Sequence, residues 1–406
     1  MLISSYDYKY KAKHLKDKFM QFSYLNSTRV EFGQGQIAKI RELLPNDEKI
    51  IVVYGGGSIK SNGVYDQVVS ALADHDWIEF AGVEPNPTVE TLDKAVALIK
   101  AEGASYILAV GGGSVIDGSK YIAAAACYEG TGWDILEGKH VVDEALALGA
   151  ILTLPATGSE CNGAAVVSKA ATRDKLAFVS DLVKPEFAVM DPDVMKTLPE
   201  RQLANGIVDA WVHICEQYLT FPADAMVQDA YAEGLLKSLR TLGANFGQQD
   251  DAWRANLMWV ANQALNGLIG VGLAQDWATH MIGHELTALY GVDHARSLAI
   301  VQPSLMRHQL PHKKAKLEQL GRNVFGLVDS EGLANSDSLA EQTINAMEAF
   351  YQSLGLETQL TGYDGDKPQA VNDVMRQLEA HGMLKLGEHQ AIDLAASREI
   401  LEAAIA

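Results

Sequence analysis

From Arg29 to about Leu198, short apolar runs alternate with stretches of helical periodicity. Lys49-Ile50-Ile51-Val52-Val53-Tyr54 is β-branched and apolar, which predicts a strand, and it ends in Gly55-Gly56-Gly57-Ser58. A helix is expected over Val64 to His75, then a strand over Ile78 to Val83 that Glu84-Pro85-Asn86-Pro87 closes. Thr88 is a good N-cap for a helix running to Glu102 and Gly103. Tyr106 to Val110 is a fully apolar strand that again ends in glycines, Gly111-Gly112-Gly113-Ser114, with a helix from Val115 to Cys127. Ala150 to Leu154 is one more buried strand, ended by Pro155. Strand, glycine turn and helix in repetition predict a parallel sheet with helices on its faces.

Beyond Leu198-Pro199 the texture changes. β-Branched runs thin out, and apolar residues recur at three- and four-residue spacing over Asp224 to Leu239, Trp253 to Leu268, Lys313 to Leu327, Ser338 to Leu354 and Val371 to His381. The expected organisation is therefore an α/β domain over residues 20–198 and a helical domain over 199–406. Met1 to Phe19 is polar and basic, without the apolar centre of a secretory signal. Residues 1–19 are expected to be a leader or an added extension.

Composition narrows the function classes. Fifty-two acidic residues against 33 basic ones give a formal charge of −19, which excludes the basic face a nucleic-acid binder needs. No apolar run approaches the roughly 18 residues of a membrane span. Cys127, Cys161 and Cys215 are widely spaced and form no CxxC pair, so neither a zinc knuckle nor a disulfide framework is indicated and a cytoplasmic, reducing location is expected.

Only 11 histidines occur in the chain, and four lie in two short apolar stretches. Asp209 and His213 stand at i, i+4 in Gly206-Ile207-Val208-Asp209-Ala210-Trp211-Val212-His213, on one face of a helix. His280, His284 and His294 fall within fifteen residues. Imidazole and carboxylate are ordinary ligands for Zn²⁺ or Fe²⁺. The bland reading is a set of satisfied core histidines and a surface Asp/His hydrogen bond. Against it, burying so many ionisable groups is costly unless something pairs with them. Spacing alone would pair His280 with His284.

Gly111 to Ser114, between a buried strand and a helix start, would let a pyrophosphate approach free N–H groups. The alternative is a tight turn with no ligand. The pattern is not GxGxxG, since Ile116 stands where the third glycine should be. Thr153, Thr157, Gly158 and Ser159 make a second small-polar turn at the same sheet edge. The first turn, Gly55 to Lys60, has no acid to accept from a ribose 2′-hydroxyl; its glycines, Ser58 and Lys60 leave room and donors for a 2′-phosphate.

Taken together, Gly111 to Ser114, Glu84-Pro85-Asn86-Pro87, Thr153-Leu154-Pro155-Ala156-Thr157-Gly158-Ser159-Glu160 and the Asp209/His213/His280/His294 set resemble the iron-containing (group III) alcohol dehydrogenases. The resemblance is narrowest to their bacterial butanol dehydrogenase and NADPH-dependent aldehyde reductase branch, and runs from about Phe22 to Ala404. It implies a dehydroquinate-synthase-like fold: a Rossmann-like α/β domain for the dinucleotide, an all-α domain for the metal, and an active site in the cleft between them. By the same resemblance Asp209, His213, His280 and His294 bind one divalent ion, zinc or iron, while His284 lies beside the nicotinamide and is the catalytic proton-transfer candidate. Gly291 and Asp293 end the helix before His294, so that ligand approaches from another direction.

The implied cofactor contacts are Gly56, Gly57, Ser58, Asn86, Gly112, Gly113, Ser114, Asp117, Thr153, Thr157, Ser159 and Lys175. Many relatives carry Asp in the first turn where this chain has glycine, which points to NADPH. The activity implied is reduction of small aliphatic aldehydes to primary alcohols by a cytoplasmic homodimer. Two rivals remain. One is a dehydroquinate-synthase-like lyase, which would need Lys and Arg near the metal where this chain offers Trp211, Trp277, Met281 and Leu286. The other is a non-catalytic NADP-binding protein.

Overall fold

The computed structural model describes residues 20–328, 338–360 and 367–405; the expected leader lies outside them. The strands are β1 (Arg29–Phe32), β2 (Ile50–Tyr54), β3 (Trp77–Ala81), β4 (Tyr106–Gly111), β5 (Ala147–Leu152), a hairpin of β6 (Ala164–Lys169) with β7 (Asp174–Val179), and β8 (Phe187–Met190). Six of them form one sheet in the order β1-β8-β5-β4-β2-β3, parallel throughout. All positions of β2, β4 and β8 are buried, as a parallel sheet covered on both faces requires, whereas the edge strands β1 and β3 are partly exposed. The hairpin is antiparallel and separate from the sheet; the strand–turn–helix rhythm did not foresee it.

Helices α1 (Val64–Ala71), α2 (Val89–Glu102) and α3 (Gly113–Cys127) fall where the periodicity places them, with ends shifted by a few residues. Gly103, at φ 70°, ends α2 in the left-handed conformation that favours glycine. Thr88 does precede α2, but its side chain does not cap it; the hydroxyl and the N–H both go to the Glu84 carboxylate instead.

The second part of the chain is helical: α4 (Glu200–Tyr218), α5 (Met226–Ala244), α6 (Asp251–Ala264), α7 (Ala278–Tyr290), α8 (His294–His308), α9 (Leu310–Leu320), α10 (Leu339–Ser353), α11 (Lys367–Ala380) and α12 (Leu394–Ala404). A two-residue antiparallel pair, Lys385–Leu386 with Ile392–Asp393, keeps it from being purely α. Ser338 caps α10 by accepting from the Glu341 N–H at 3.3 Å.

Two compact units result. One comprises Leu25–Pro199 and Asp250–Asn266; the other comprises 20–24, Glu200–Gln249 and 267–405. The expectation of a single helical body after Pro199 missed that α6 packs with the first unit. Asn262 of α6 donates to the buried Glu160 carboxylate at 2.7 Å there. Among the described residues no helix is long and apolar enough to cross a membrane.

Candidate functional site

α4 is buried along nearly its whole length from Leu203 onward, so its polar residues face protein rather than water. Asp209 and His213 lie one turn apart on it, with Oδ1 3.6 Å from Nδ1. α7 carries His280 and ends at Gly291, whose φ of 66° lets the chain reverse. α8 then opens at His294, whose Nε2 stands 3.5 Å from Asp209 Oδ1. One ligand atom from each of Asp209, His213, His280 and His294 lies within 4.8 Å of all the others. The His213 and His280 rings stack at 4.6 Å, and His280 and His294 are 5.2 Å apart.

These residues fit a divalent ion. Four N/O donors converge on one point, and buried His213 Nδ1 has no hydrogen-bond partner. Burial pushes the His213 imidazole down to about 4, against the upward pull of Asp209 and with help from His280. It is therefore neutral, the form that ligates. His284, also buried, has its ring 5.2 Å from that of His294 and 6.0 Å from that of His280, and it does not join the group of four.

Besides Asp293 and Trp277, several residues that the sequence did not mark hold this cluster. Arg201 Nε and Asn205 Nδ2 of α4 donate to Asp293 Oδ2 at 2.9 and 3.0 Å, tying the residue before His294 to the helix that bears Asp209. Glu216, fully buried, accepts from the Thr279 N–H at 2.6 Å and pairs with His280 Nδ1. Burial, and then Asp276, push the Glu216 carboxyl well up, while the Thr279 N–H and Lys313 oppose that. Asp276 caps α7 by accepting from the Ala278 N–H at 2.9 Å, and meets buried Lys313 at 2.5 Å. Lys313 also donates to Glu388 at 3.1 Å and to the Leu219 carbonyl at 2.6 Å. Trp277, between Asp276 and Ala278, sits at φ 65°, and its indole meets the His280 ring edge-on at 5.2 Å. The one local sign of all this was a glutamate, Glu216, in an otherwise apolar helix three residues after His213.

In the first unit, β4 runs into α3 through Gly111 and Gly112. A Cβ on Gly113 would lie 2.6 Å from Thr157 Oγ1, so only glycine lets the second small-polar turn close onto the first. The Thr153 N–H donates to the Gly111 carbonyl at 3.0 Å. Gly112 and Gly113 therefore keep bare backbone at the start of a fifteen-residue helix, and Ser114 stands partly exposed in its first turn. Lys175 Nζ reaches Asn86 Oδ1 at 2.8 Å, and Asn86 takes the left-handed φ of 55°. Asp117 and Ser159 bond to each other at 2.5 Å, and Asp117 also accepts from the Val166 N–H at 3.0 Å. Fully buried Lys120 donates to Ser159 at 2.8 Å, to Asn162 at 3.0 Å and to the Ala164 carbonyl at 2.8 Å.

The first turn is open: a Cβ on Gly56 or Gly57 would meet nothing within 4 Å, and Ser58 is exposed. The structure adds an acid that the local sequence hides. Glu79, on β3, accepts from Tyr65 at 2.7 Å and Tyr54 at 3.0 Å, with Lys60 Nζ 3.7 Å away. Lys60, read from sequence as a donor for a 2′-phosphate, thus already faces a carboxylate.

Comparison with known proteins agrees with both halves. Residues 27–192 match the model for iron-containing alcohol dehydrogenase, and residues 203–404 match the C-terminal model of the Fe-containing alcohol dehydrogenase family. The chain belongs to the iron-containing alcohol dehydrogenase family. It is 48% identical over 388 residues to the NADPH-dependent aldehyde reductase YqhD of Escherichia coli, covering 94% of this chain and 99% of that one. The probable NADH-dependent butanol dehydrogenase 1 of Bacillus subtilis is 40% identical, over 84% of this chain and 89% of its own length. A crystal structure of the NADH-dependent butanol dehydrogenase A of Thermotoga maritima superposes with a TM-score of 0.89 at 36% identity, covering 95% of this chain and 99% of that one.

Within this family's fold, dehydroquinate-synthase-like as expected, the four residues named as ligands come together. The apolar neighbours are another matter. Trp211 is fully buried against Phe325 and Phe350, with ring distances of 5.7 and 4.7 Å, and Leu286 is fully buried. Both belong to the core of the helical unit. Of the four apolar side chains, Trp277 is the one whose ring meets the histidine cluster.

Proposed function

We propose that this chain is a metal-dependent, NADPH-linked aldehyde reductase, reversible as an alcohol dehydrogenase. The observation that carries the reading is the convergence of Asp209, His213, His280 and His294 within 4.8 Å. The 48% identity to the NADPH-dependent aldehyde reductase of Escherichia coli supports it. When bound, a divalent ion supplies a Lewis acid for a carbonyl oxygen, and NADPH supplies the hydride.

The chain's own residues do the rest. Asp209, His213, His280 and His294 hold the ion, and the Asp209 carboxylate offsets part of its charge. His284 carries a proton on a ring nitrogen for the oxygen of the nascent alcohol. The dinucleotide belongs to the first unit, with the pyrophosphate at Gly112, Gly113 and Ser114. Asn86, Asp117, Thr153, Thr157, Ser159 and Lys175 shape the surrounding cradle, four of them by bonding in two pairs, Asp117 with Ser159 and Asn86 with Lys175. Gly56, Gly57 and Ser58 face the adenosine ribose. Relatives of both NADPH and NADH type exist, so the preference rests on the open first turn, where no carboxylate stands free: Glu79 is occupied by Lys60 and two tyrosines. The lyase reading finds little support. α4 and α7 carry between them one cation, Arg201, and Asp293 occupies it. With free thiols at Cys127, Cys161 and Cys215, we assign the enzyme to the cytoplasm.

The test is metal analysis of protein purified without chelator, followed by turnover with butyraldehyde and NADPH. The reading requires a bound divalent ion, broad activity on unbranched aldehydes, and a Michaelis constant that falls over the first few carbons by the roughly 1–3 kcal/mol each methylene contributes. Activity confined to a phosphorylated or acidic substrate, or none at all, would sink it.

A further inference from the structure

Glu216 is a carboxylate buried to 0% exposure in the helical unit, a costly placement unless both oxygens are used. They are. Oε1 accepts from the Thr279 N–H at 2.6 Å, and Oε2 pairs with His280 Nδ1. The Glu216 backbone carbonyl also accepts from the Asp276 N–H at 2.8 Å. One residue of α4 thus grips the entry to α7 at three points, all within five residues of chain.

We propose that Glu216 is the positioning residue for His280: it holds the proton on Nδ1, so that Nε2 is the nitrogen offered to the ion. The inference rests on the metal-site reading above. An imidazole has one donor and one acceptor nitrogen when neutral, and the partner of one decides the role of the other. With a divalent ion on the ring, the positive charge holds Glu216 as a carboxylate in spite of its burial; a carboxylate only accepts, so Nδ1 facing it must donate. Glutamine cannot reproduce this. Its single acceptor oxygen can serve Thr279 or His280 but not both. With the oxygen on Thr279, its N–H₂ faces Nδ1 and selects the tautomer whose Nε2 carries a proton and cannot ligate.

The Asp276–Lys313–Glu388 ion cluster fixes the far side of the same segment. Lys313 holds Asp276, and Asp276 caps α7, while Trp277 between them keeps its left-handed backbone. A residue in that region persists when its surroundings over-determine it. Glu216 and Lys313 therefore hold the His280 segment from two sides.

Metal-free wild type and Glu216→Gln are titrated with Zn²⁺ against a fluorescent chelator, with NADPH binding and the thermal midpoint of the metal-free proteins as fold controls. The variant should bind Zn²⁺ about 10–100-fold more weakly, the usual loss for an outer partner of a metal histidine, with both controls near wild type. Equal Zn²⁺ affinity in the two proteins overturns the role of Glu216. Failure of the wild type itself to bind Zn²⁺ removes the metal-site reading instead. Should Glu216→Gln not fold, ¹⁵N spectra of histidine-labelled, Zn²⁺-loaded wild type decide. A proton on His280 Nδ1 with the metal on Nε2 supports the proposal, and the metal on Nδ1 refutes it. A purely structural role for Glu216 would leave that signature free to take either form.

Discussion

His294 Nε2 lies 3.5 Å from Asp209 Oδ1, although one residue opens α8 and the other sits in the middle of α4. The approach depends on Gly291 ending α7, so that His294 meets the cluster from a direction His284 cannot share. Alanine at His280 or His294 should abolish both bound metal and activity. Alanine at His284 should leave metal content and NADPH binding intact and slow turnover by roughly 10²–10⁴-fold at most. Metal content of the three purified variants decides: loss from His284→Ala with retention by His294→Ala reverses the assignment.

Asp293 is the link between that turn and α4 through Arg201 and Asn205. Its side chain is about one-third exposed, so the pairing contributes little to global stability, on the order of 0–1 kcal/mol. Its effect should appear in the metal site instead. Asp293→Ala is expected to weaken Zn²⁺ binding by about tenfold while the urea midpoint of the metal-free protein barely moves. A large stability loss with unchanged Zn²⁺ affinity would contradict this.

Cofactor preference is testable at Gly56. A side chain there meets no atom within 4 Å and needs no left-handed backbone, whereas Gly57, at φ 101°, would be strained by any substitution. Gly56→Asp should therefore fold normally. A carboxylate about 4 Å from a 2′-phosphate costs roughly 1–4 kcal/mol between water-like and surface dielectric, so kcat/KM with NADPH relative to NADH should fall tenfold or more. A wild type that uses both cofactors equally would show the first turn has been misread.

The pH dependence of the metal-free protein should carry the mark of His213. Its folded value is depressed to about 4, mainly by burial, from an ordinary 6.5. The unfolded chain takes up that proton first, so stability contributed by neutral His213 is present above pH 6.5 and lost as pH falls toward 4. The loss amounts to roughly 3 kcal/mol at most. Glu216, whose carboxyl is pushed up, acts with the opposite sign, so the difference between wild type and His213→Asn is what isolates the effect. Urea unfolding at pH 7 and pH 5 measures it: the variant should lose less stability than wild type on acidification.

The local sequence determined what depends on neighbours along the chain. Runs such as Ile50–Tyr54 and Tyr106–Gly111 announce buried parallel strands because every position is apolar, and the glycines after them announce the turns. Asp209 and His213 share a face because a helix has 3.6 residues per turn, and Gly291 marks the end of α7 because its backbone must turn left-handed. Tertiary structure decided what depends on elements distant in sequence. It sent Trp211 to the core against Phe350, placed α6 with the first unit, and carried Glu79 from β3 to Lys60. It also brought Glu216 to His280, and Lys313 to Asp276 and Glu388. No periodicity encodes such pairings: a buried carboxylate and its partner need only be complementary across two packed elements, and that complementarity exists once the elements have met.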